Sequence, residues 1–239
     1  MFRRKRSQDE IFADFGWWDK GCFLGQMTGD RCDYIQACVE KVFGSHALAQ
    51  QEILEVGSGG GLICEQLARR NVNMVGIDPS EGALATAREH AQQSGLGQSI
   101  QYYRGFAEAL PFADGSFSVI VCLDVLEHVR DLPATIREVA RVLAPGGVFV
   151  FDTINRTLLA RAILIWYGEH FPSGGLKPGI HRYADFIKPV ELRAELTRSA
   201  LSVRETTGFI PRSLVHGHFK MGPGWFKGVA YVGYATKDR

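Results

Sequence analysis

The sequence predicts an α/β fold in which helices cover both faces of a doubly wound, mostly parallel, seven-stranded sheet. Short apolar strands alternate with amphipathic helices from residue 52 onward, and this alternation produces parallel sheets that are buried on both faces. A glycine-rich turn joins the first of these strands to its helix, as in doubly wound folds that bind a ligand at the carboxyl ends of their strands. The chain has 239 residues, of which 46% are hydrophobic and 22% charged, and this suits one compact domain.

The individual elements follow from the spacing of apolar residues. Residues 9–50 are predicted to be helical, because apolar residues such as Ile35, Val39 and Val42 recur at helical spacing. The first five predicted strands are residues 53–56, 72–77, 100–103, 117–123 and 148–152, separated by predicted helices at 62–70, 83–94 and 133–142. Residues 157–187 then form a helical insertion, followed by a helix at 189–200 and two closing strands at 201–207 and 229–236. Because the insertion follows the fifth strand, it lies at the ligand-binding edge of the predicted sheet.

Composition and charge exclude several classes of protein. The net charge of +1 provides no field that would recruit nucleic acid, so no nucleic-acid partner is expected. Five cysteines without a C-x-x-C pair indicate reduced thiols in a cytoplasmic protein rather than a disulfide scaffold or a zinc ribbon. No apolar stretch reaches the roughly 18 residues of a membrane span, and the basic residues 1–6 precede polar residues, unlike a secretory signal.

The most informative segment is the turn EVGSGGG, which begins at Glu55. Glycines let the backbone turn tightly and approach a ligand closely. A dinucleotide-binding turn would have its third glycine at position 62, where this chain has Leu62, so a nicotinamide dehydrogenase is disfavoured. Gly57, Gly59 and Gly61 instead resemble the turn of class I S-adenosylmethionine-dependent methyltransferases, which have a Rossmann-like fold. Glu55 suits the ammonium group of a methionine moiety, and S-adenosylmethionine is the cofactor that the resemblance implies.

Asp78 ends the second predicted strand, where its carboxylate can accept two hydrogen bonds from the diol of a ribose. Alternatively, Asp78 caps the following helix, since Pro79 begins a turn. Residues 106–112 (FAEALPF) and 143–147 (LAPGG) resemble the adenine-side segment of these methyltransferases and the turn before their fifth strand. Phe106 replaces the acidic residue usual in the first segment, so Ala107 and Glu108 are expected to recognise the adenine. The candidate cofactor-binding residues are Glu55, Gly57, Ser58, Gly59, Gly61, Asp78, Pro79, Ala107, Glu108 and Leu123.

Residues 122–129 (CLDVLEHV) lie where the fourth predicted strand ends, beside the expected position of the methyl donor's sulfur. Asp124, Glu127 and His128 are candidate ligands of a divalent ion, because carboxylates with one imidazole suit Mg²⁺ or a transition metal. Such an ion would lower the pKa of a catechol hydroxyl and orient its oxygen. Without a metal, His128 would be the catalytic base with Glu127 beside it, or the pair would only orient the loop. His181 and Lys188 are expected to face the same acceptor.

Further segments resemble the ubiquinone-biosynthesis O-methyltransferase family. They are residues 17–19 (WWD), 127–129 (EHV), 153–156 (TINR), 177–183 (KPGIHRY), 186–192 (FIKPVEL) and 219–224 (FKMGPG). The resemblance covers residues 12–237 and implies methylation of a catechol hydroxyl on a polyprenylated ring, with a divalent metal such as Mg²⁺ or Zn²⁺ at residues 124–128. Two departures leave the acceptor open: Asp124 stands where the family has glutamate, and residues 27–35 keep only Arg31, Tyr34 and Ile35 of the family's pattern.

The predicted insertion contains ten mostly apolar residues, from Leu158 to Tyr167. Two interpretations are open, because the matching region of the family touches lipid whereas a lid over the acceptor would also be apolar. If the segment is helical, Leu158, Ala162, Ile165 and Trp166 form one apolar face. That face is too short to span a bilayer but suits its interface.

The sequence thus predicts a single methyltransferase domain over residues 1–239. Its parts are an N-terminal helical cover (1–50), a cofactor-binding core (51–153), an acceptor lid (154–187) and a C-terminal helix with closing strands (188–239). The predicted reaction is methyl transfer from S-adenosylmethionine to the oxygen of a small phenolic or quinol acceptor in ubiquinone biosynthesis, by a cytoplasmic enzyme with a peripheral membrane contact through residues 158–167. The alternatives are a secondary-metabolite O-, N- or C-methyltransferase and a non-catalytic, membrane-associated relative.

Overall fold

The computed structural model describes residues 12, 15–19, 21–171, 176–215 and 218–238. Within them, one eight-stranded sheet carries helices on both faces, which confirms the predicted α/β class. The basic start at residues 1–6 and the helical prediction for residues 9–11 lie outside the described residues.

The strand order of the sheet is β3-β2-β1-β4-β5-β8-β6-β7. The strands are β1 (Glu52–Val56), β2 (Asn73–Asp78), β3 (Ile100–Arg104), β4 (Phe117–Cys122), β5 (Leu143–Ile154), β6 (Leu201–Val215), β7 (His218–Gly224) and β8 (Ala230–Lys237). The first five strands pair in parallel, and the last three are joined through antiparallel pairs. Because the order reverses between β1 and β4, a crevice opens at the carboxyl ends of these two strands.

The sheet has one strand more than the predicted seven. β7 pairs with the second half of β6, from Gly208 opposite Gly224 to Val215 opposite His218. Its sequence carries a weak strand signal, because glycine and proline are unfavourable inside strands. β7 is an edge strand, however, and an edge tolerates Pro223 since only one side of the strand is paired.

Most helices lie close to their predicted positions, but the helix predicted within residues 9–50 begins only at Phe23, because residues 15–19 and 21–22 form turns and bends. The helices are α1 (Phe23–Phe43), α2 (Leu62–Ala68), α3 (Glu81–Gln93), α4 (Leu132–Val142), α5 (Leu158–Ala160) and α6 (Pro189–Arg198), with 3-10 helices at Leu48–Gln50 and Tyr183–Asp185 and a π-helix at Arg161–Gly168 that continues α5. Ser80 and Asp131 begin α3 and α4, because their side chains accept hydrogen bonds from the amides of Ala83 and Ala134 that would otherwise be unsatisfied.

The core consists of two apolar layers, one on each face of the sheet. Ile35 and Val39 of α1 are fully buried in the first layer, and Ile136 of α4 and Leu196 of α6 are fully buried in the second. Val42, predicted to share the apolar face of α1, is 36% exposed, because it lies near the end of the helix. Burial on both faces explains why the parallel strands read as nearly continuous apolar runs.

Candidate active site

A cavity of about 510 Å³ opens at the carboxyl ends of the parallel strands. Nine of the candidate cofactor-binding residues line it, namely Glu55, Gly57, Ser58, Gly59, Asp78, Pro79, Ala107, Glu108 and Leu123. Asp124, His128 and His181 line the same cavity, whereas Gly61, Glu127 and Lys188 are not among its lining residues. The structure therefore brings most of the predicted cofactor and acceptor residues together, and their individual roles stay predictions.

The glycines of the turn are required by close packing as well as by backbone conformation. Gly57 has φ +78°, and a Cβ added there would lie 2.2 Å from a methyl group of Val125. Gly61 has φ +85°, and an added Cβ would lie 2.4 Å from the hydroxyl oxygen of Tyr102. Side chains at these two positions would both clash and occupy a disfavoured region. Gly61 thus shapes the start of α2 rather than the wall of the cavity.

Two adjacent tryptophans lie over this turn. A Cβ added to Gly60 would be 2.2 Å from Cγ of Trp17, so the Trp17 side chain packs directly on the glycine backbone. Trp18 donates a hydrogen bond from Nε1 to the carbonyl oxygen of Gly60 (2.9 Å), and its ring stacks on His90 at 3.4 Å between centroids. Sequence reasoning noted these tryptophans only as family resemblance and gave them no role at the turn.

Glu55 is buried beneath the turn. Its Oε2 accepts hydrogen bonds from the amide (3.1 Å) and the thiol (2.9 Å) of Cys64. Burial raises the pKa of Glu55 to about 8, although the hydrogen bonds from Cys64 oppose the shift. A cation in the cavity would favour the ionised carboxylate, which agrees with the predicted role of Glu55 toward a methionine ammonium group.

Asp78 organises the backbone at the end of β2. Its Oδ2 accepts from the amide of Gly59 (2.9 Å) and its Oδ1 from the amide of Ser80 (2.8 Å). Ser80, not Asp78, caps α3, so the capping alternative for Asp78 is wrong. Each carboxylate oxygen can accept a second hydrogen bond, so the ribose prediction is compatible with these contacts.

In the adenine-side loop, Glu108 makes a contact within the protein that the sequence did not predict. Glu108 uses Oε1 to accept a hydrogen bond from the amide of Arg130 (2.7 Å), which fixes the loop. Phe106 is 43% exposed, and the guanidinium of Arg130 lies 5.3 Å from the centroid of its ring. Glu108 thus has a structural contact in addition to its place on the cavity wall.

The acceptor side contains an arginine that the sequence motifs left without a role. Nη2 of Arg31 lies 2.5 Å from Oδ2 of Asp124 and 3.1 Å from Oδ2 of Asp152, and the Asp124 amide donates to Oδ1 of Asp152 (2.5 Å). Asp124 has φ +54°, a conformation that these contacts stabilise. Burial would lower the pKa of Arg31, but attraction to the two carboxylates raises it above its usual value. Burial raises the pKa of Asp152 to about 7, against the opposing effect of Arg31.

Glu127 and His128 have different surroundings although they are adjacent. Glu127 is 3% exposed, and its Oε2 accepts from the hydroxyl of Thr153 (2.8 Å). Burial, with the charges of Asp124 and Asp152, raises the pKa of Glu127 to about 8. Burial and the neighbouring His181 lower the pKa of His128 to about 4. His128 therefore reaches the cavity as a neutral imidazole near pH 7.

The arrangement does not fit the predicted metal ligands. Asp124 is paired with Arg31, and Glu127 is bonded to Thr153 away from the cavity lining. Among the described residues no group of three His, Cys, Asp or Glu side chains is positioned to hold a metal ion. Asp124, Glu127 and His128 are near one another in the sequence, but Arg31 pairs with Asp124 and Thr153 donates to Glu127.

The cavity wall fits the adenosyl donor better. Glycines at positions 57 and 59 leave room for Val125 and Trp17 against the turn, and Oγ of Ser58 is buried there without a hydrogen-bond partner among the described residues. A ligand with polar groups along one edge would satisfy this hydroxyl. The donor set of Glu55, Ser58 and Asp78 is therefore suited to an amino acid joined to a ribose.

The two sides of residues 158–167 have different surroundings, and the two predicted roles of this segment stay predictions. On one side Leu164 lines the cavity, and Ile165 packs against Ile154 and Phe186. The other side is exposed, with relative exposures of 73% at Leu158 and 64% at Trp166. The predicted face containing Ile165 is wrong, because residues 161–168 form a π-helix with a different spacing of side chains.

None of the helices in the described residues has the length and apolar character that crossing a membrane requires.

Comparison with known proteins identifies the family. A methyltransferase domain model matches residues 54–151. The ubiquinone biosynthesis O-methyltransferase of Azorhizobium caulinodans is 34% identical over 81% of this chain and 79% of its own, and that of Parvibaculum lavamentivorans is 38% identical over 80% and 78%. This chain belongs to the ubiquinone biosynthesis O-methyltransferase family. The predicted family and its S-adenosylmethionine cofactor are thereby confirmed.

Solved structures agree with this methyltransferase fold. A putative sarcosine dimethylglycine methyltransferase from Galdieria sulphuraria superposes with a TM-score of 0.63 at 17% identity, covering 87% of this chain and 85% of its own. A possible histamine N-methyltransferase from Thermotoga maritima gives a TM-score of 0.62 at 20% identity, covering 96% and 97%. At these identities the likeness concerns the fold alone.

Proposed function

We propose that this methyltransferase transfers a methyl group from S-adenosylmethionine to one oxygen of a catechol-type ring in ubiquinone biosynthesis. The observation that carries the proposal is the continuity of the cavity, which runs from the glycine turn and Asp78 to His128 and His181. The named relatives support the O-methyl transfer. The apolar lid residue Leu164 on the same wall suits an acceptor with an apolar substituent.

Binding of the donor would use the wall formed by β1 and β2. Glu55 would hold the methionine ammonium group, Asp78 the ribose hydroxyls, and Ala107 with Glu108 the adenine side. Leu123, 9% exposed at the end of β4, would pack near the sulfur. Arg31 also lines the cavity and has a buried Nε without a hydrogen-bond partner among the described residues, so it would receive the methionine carboxylate.

Catalysis would depend mainly on alignment of the two reactants. S-adenosylmethionine supplies an electrophilic methyl group on a sulfonium sulfur. The lid and the β4 loop orient the acceptor oxygen in line with the carbon–sulfur bond, which is the largest contribution available to such a displacement. His128 accepts the proton of the reacting hydroxyl while the oxygen–carbon bond forms and the bonding pair of the carbon–sulfur bond returns to sulfur. The products are a methoxy ring, S-adenosylhomocysteine and a protonated His128.

A divalent metal would also promote loss of the proton of the reacting hydroxyl, because it would lower the pKa of that hydroxyl. The pairing of Asp124 with Arg31 favours the metal-free route through His128. Exhaustive chelation distinguishes the metal-free route through His128 from the metal-dependent route. Retained activity supports His128 as the base, whereas activity that is lost on chelation and restored by Mg²⁺ or Zn²⁺ supports the metal.

The direct test is methyl transfer to a 4-alkylcatechol, with the product located by mass spectrometry and nuclear magnetic resonance. The expected product carries one methyl group on a ring oxygen. Transfer to nitrogen or carbon would favour a secondary-metabolite methyltransferase instead. Tight binding of S-adenosylhomocysteine without transfer to any phenol would favour a non-catalytic relative. Asp78→Ala is expected to weaken S-adenosylhomocysteine binding by about 1.5–3 kcal/mol through loss of charged hydrogen bonds.

We also propose that the exposed side of the insertion contacts a lipid surface. Leu158, Leu159, Ile163, Trp166 and Tyr167 are all exposed, which is a costly arrangement for apolar side chains in water. A peripheral contact would place the lid, and with it the entrance to the acceptor side, beside a lipid-dissolved acceptor.

A further inference from the structure

The insertion carries a buried glutamate–histidine pair that the proposed reaction does not use. Glu169 is 5% exposed. Its carboxylate accepts hydrogen bonds from the amide of Gly179 (2.6 Å), the amide of His181 (2.8 Å) and Nδ1 of His181 (3.0 Å). A carboxylate can only accept, so Nδ1 of His181 carries a proton, and in the neutral ring Nε2 then carries the lone pair.

His181 lies beside His128 at the acceptor end of the cavity. The two imidazole rings are nearly parallel, with centroids 5.4 Å apart and planes inclined by 27°. Edge contacts hold both rings, since Phe12 meets His128 at 5.5 Å and Phe186 meets His181 at 5.9 Å between centroids. The cavity therefore presents two adjacent imidazoles, of which the proposed reaction requires one.

We propose that His181, held by Glu169, accepts a hydrogen bond from the non-reacting hydroxyl of a ring that bears two vicinal hydroxyls. His128 then faces the neighbouring hydroxyl, which is methylated. The inference rests on the proposed function and assigns selectivity for a vicinal diol to the pair of histidines. Glu169 does not reach the acceptor in this arrangement and is a positioning residue, because it acts by fixing the orientation and tautomer of His181.

A ring with a single hydroxyl would leave Nε2 of His181 without the donor that the second hydroxyl of a catechol supplies. Sites built to hydrogen-bond a hydroxyl reject analogues that lack it far more strongly than apolar sites reject a missing methylene. The wild-type enzyme is therefore expected to prefer a 4-alkylcatechol to the matching 4-alkylphenol by at least about tenfold, both in kcat/KM and in affinity for the S-adenosylhomocysteine complex.

The decisive variant is His181→Asn. Its amide nitrogen takes the place of Nδ1 and keeps the hydrogen bond to Glu169, whereas nothing replaces Nε2. The catechol-over-phenol ratio is expected to fall to near one, chiefly through a higher KM for the catechol, while S-adenosylhomocysteine affinity is unchanged. Glu169→Ala is expected to lower the ratio in the same way, and Glu169→Gln to restore part of it because an amide oxygen still accepts from Nδ1. His170→Ala, an exposed histidine of the same insertion, is the control and keeps the wild-type ratio.

The outcomes separate this inference from the proposed function. A His181→Asn enzyme that loses catechol and phenol turnover in equal proportion, with its ratio intact, overturns the role of His181 and leaves catechol methylation standing. A wild-type enzyme that binds both rings equally in the S-adenosylhomocysteine complex also overturns it. A wild-type enzyme that binds S-adenosylhomocysteine but methylates neither ring overturns the proposed function, and the affinity ratio measured without turnover still decides the role of His181.

Discussion

Nη2 of Arg31 lies 2.5 Å from Oδ2 of Asp124, and this contact ties helix α1 to the loop that follows β4. Both ends of the contact lie on the cavity wall. The same guanidinium also reaches Asp152 at the end of β5. One buried cation therefore holds together the three elements that shape the acceptor side.

Removing this cation is expected to destabilise the protein strongly. Arg31→Ala removes the cation that pairs with the buried Asp152 and with the partly exposed Asp124, and removing one partner of a buried ion pair costs about 3–5 kcal/mol. Thermal and urea unfolding measure the effect. Lys41→Ala is the matched control on the same helix, since its pair with Glu205 is exposed and is expected to contribute only about 0–1 kcal/mol. Equal losses in the two variants would contradict the structural role of Arg31.

The glycine turn gives a second expectation. Gly57→Ala combines a positive φ with a clash against Val125, so we expect loss of S-adenosylhomocysteine binding together with lower stability. Gly95→Ala has φ +72° but meets nothing within 4 Å, and the strain alone is expected to cost about 1 kcal/mol. Calorimetric titration of both variants with S-adenosylhomocysteine distinguishes the effect of the clash with Val125 from the effect of backbone strain at positive φ. Normal ligand binding by Gly57→Ala would show that the turn tolerates a side chain.

The raised pKa of Glu55 predicts how binding and stability change with pH. Burial disfavours the ionised carboxylate, so Glu55 stays protonated in the folded protein up to about pH 8. The stability that the protonated group contributes is complete below the unfolded pKa of about 4.5 and is lost as the pH rises through 8. Over the same interval, ionised Glu55 becomes available to a methionine ammonium group, and S-adenosylhomocysteine should bind more tightly.

Titration calorimetry between about pH 6 and pH 9 tests this, with Glu55→Gln expected to bind more weakly and with little dependence on pH. Glu52→Gln, exposed at the opposite end of β1, is the control and should retain the wild-type profile. A wild-type affinity that falls across this interval would contradict the role of Glu55.

The lipid contact of the insertion is tested by sedimentation with anionic phospholipid vesicles. Leu158→Glu combined with Trp166→Glu changes two exposed side chains and should release the protein from the vesicles while leaving S-adenosylhomocysteine binding intact. Val42→Glu combined with Phe43→Glu, at the far end of α1, is the control and should sediment like the wild type. Wild-type protein that stays in the supernatant at every lipid composition would end the proposal.

The parts of the fold that can be predicted from the sequence are those marked by patterns of residues close together in the chain. Alternating apolar segments predict the parallel strands, and the spacing of Gly57, Gly59 and Gly61 distinguishes the methyltransferase turn from a dinucleotide turn. β7 was not predicted because Pro223 and its glycine neighbours weaken the strand signal, whereas pairing with β6 decides the outcome.

The parts of the candidate site that the sequence does not predict depend on distant partners. Arg31 meets Asp124 and Asp152 only after the sheet is assembled, and no motif marks the pairing of Glu169 with His181. The metal prediction finds no support among the described side chains for the same reason, since Asp124 is a plausible ligand until Arg31 is placed beside it. The face predicted for residues 158–167 assumed an α-helix, and the π-helix turns Ile165 inward.

The position of Trp17 over the glycine turn has a consequence for the timing of turnover. Trp17 packs on the turn and also lines the cavity, so a ligand held against the turn lies beside its ring. If the spent donor leaves only when Trp17 moves, the frequency of that movement sets an upper limit on the number of cycles per second, however fast the methyl group itself moves. Acceptors that differ widely in reactivity would then share one maximal rate.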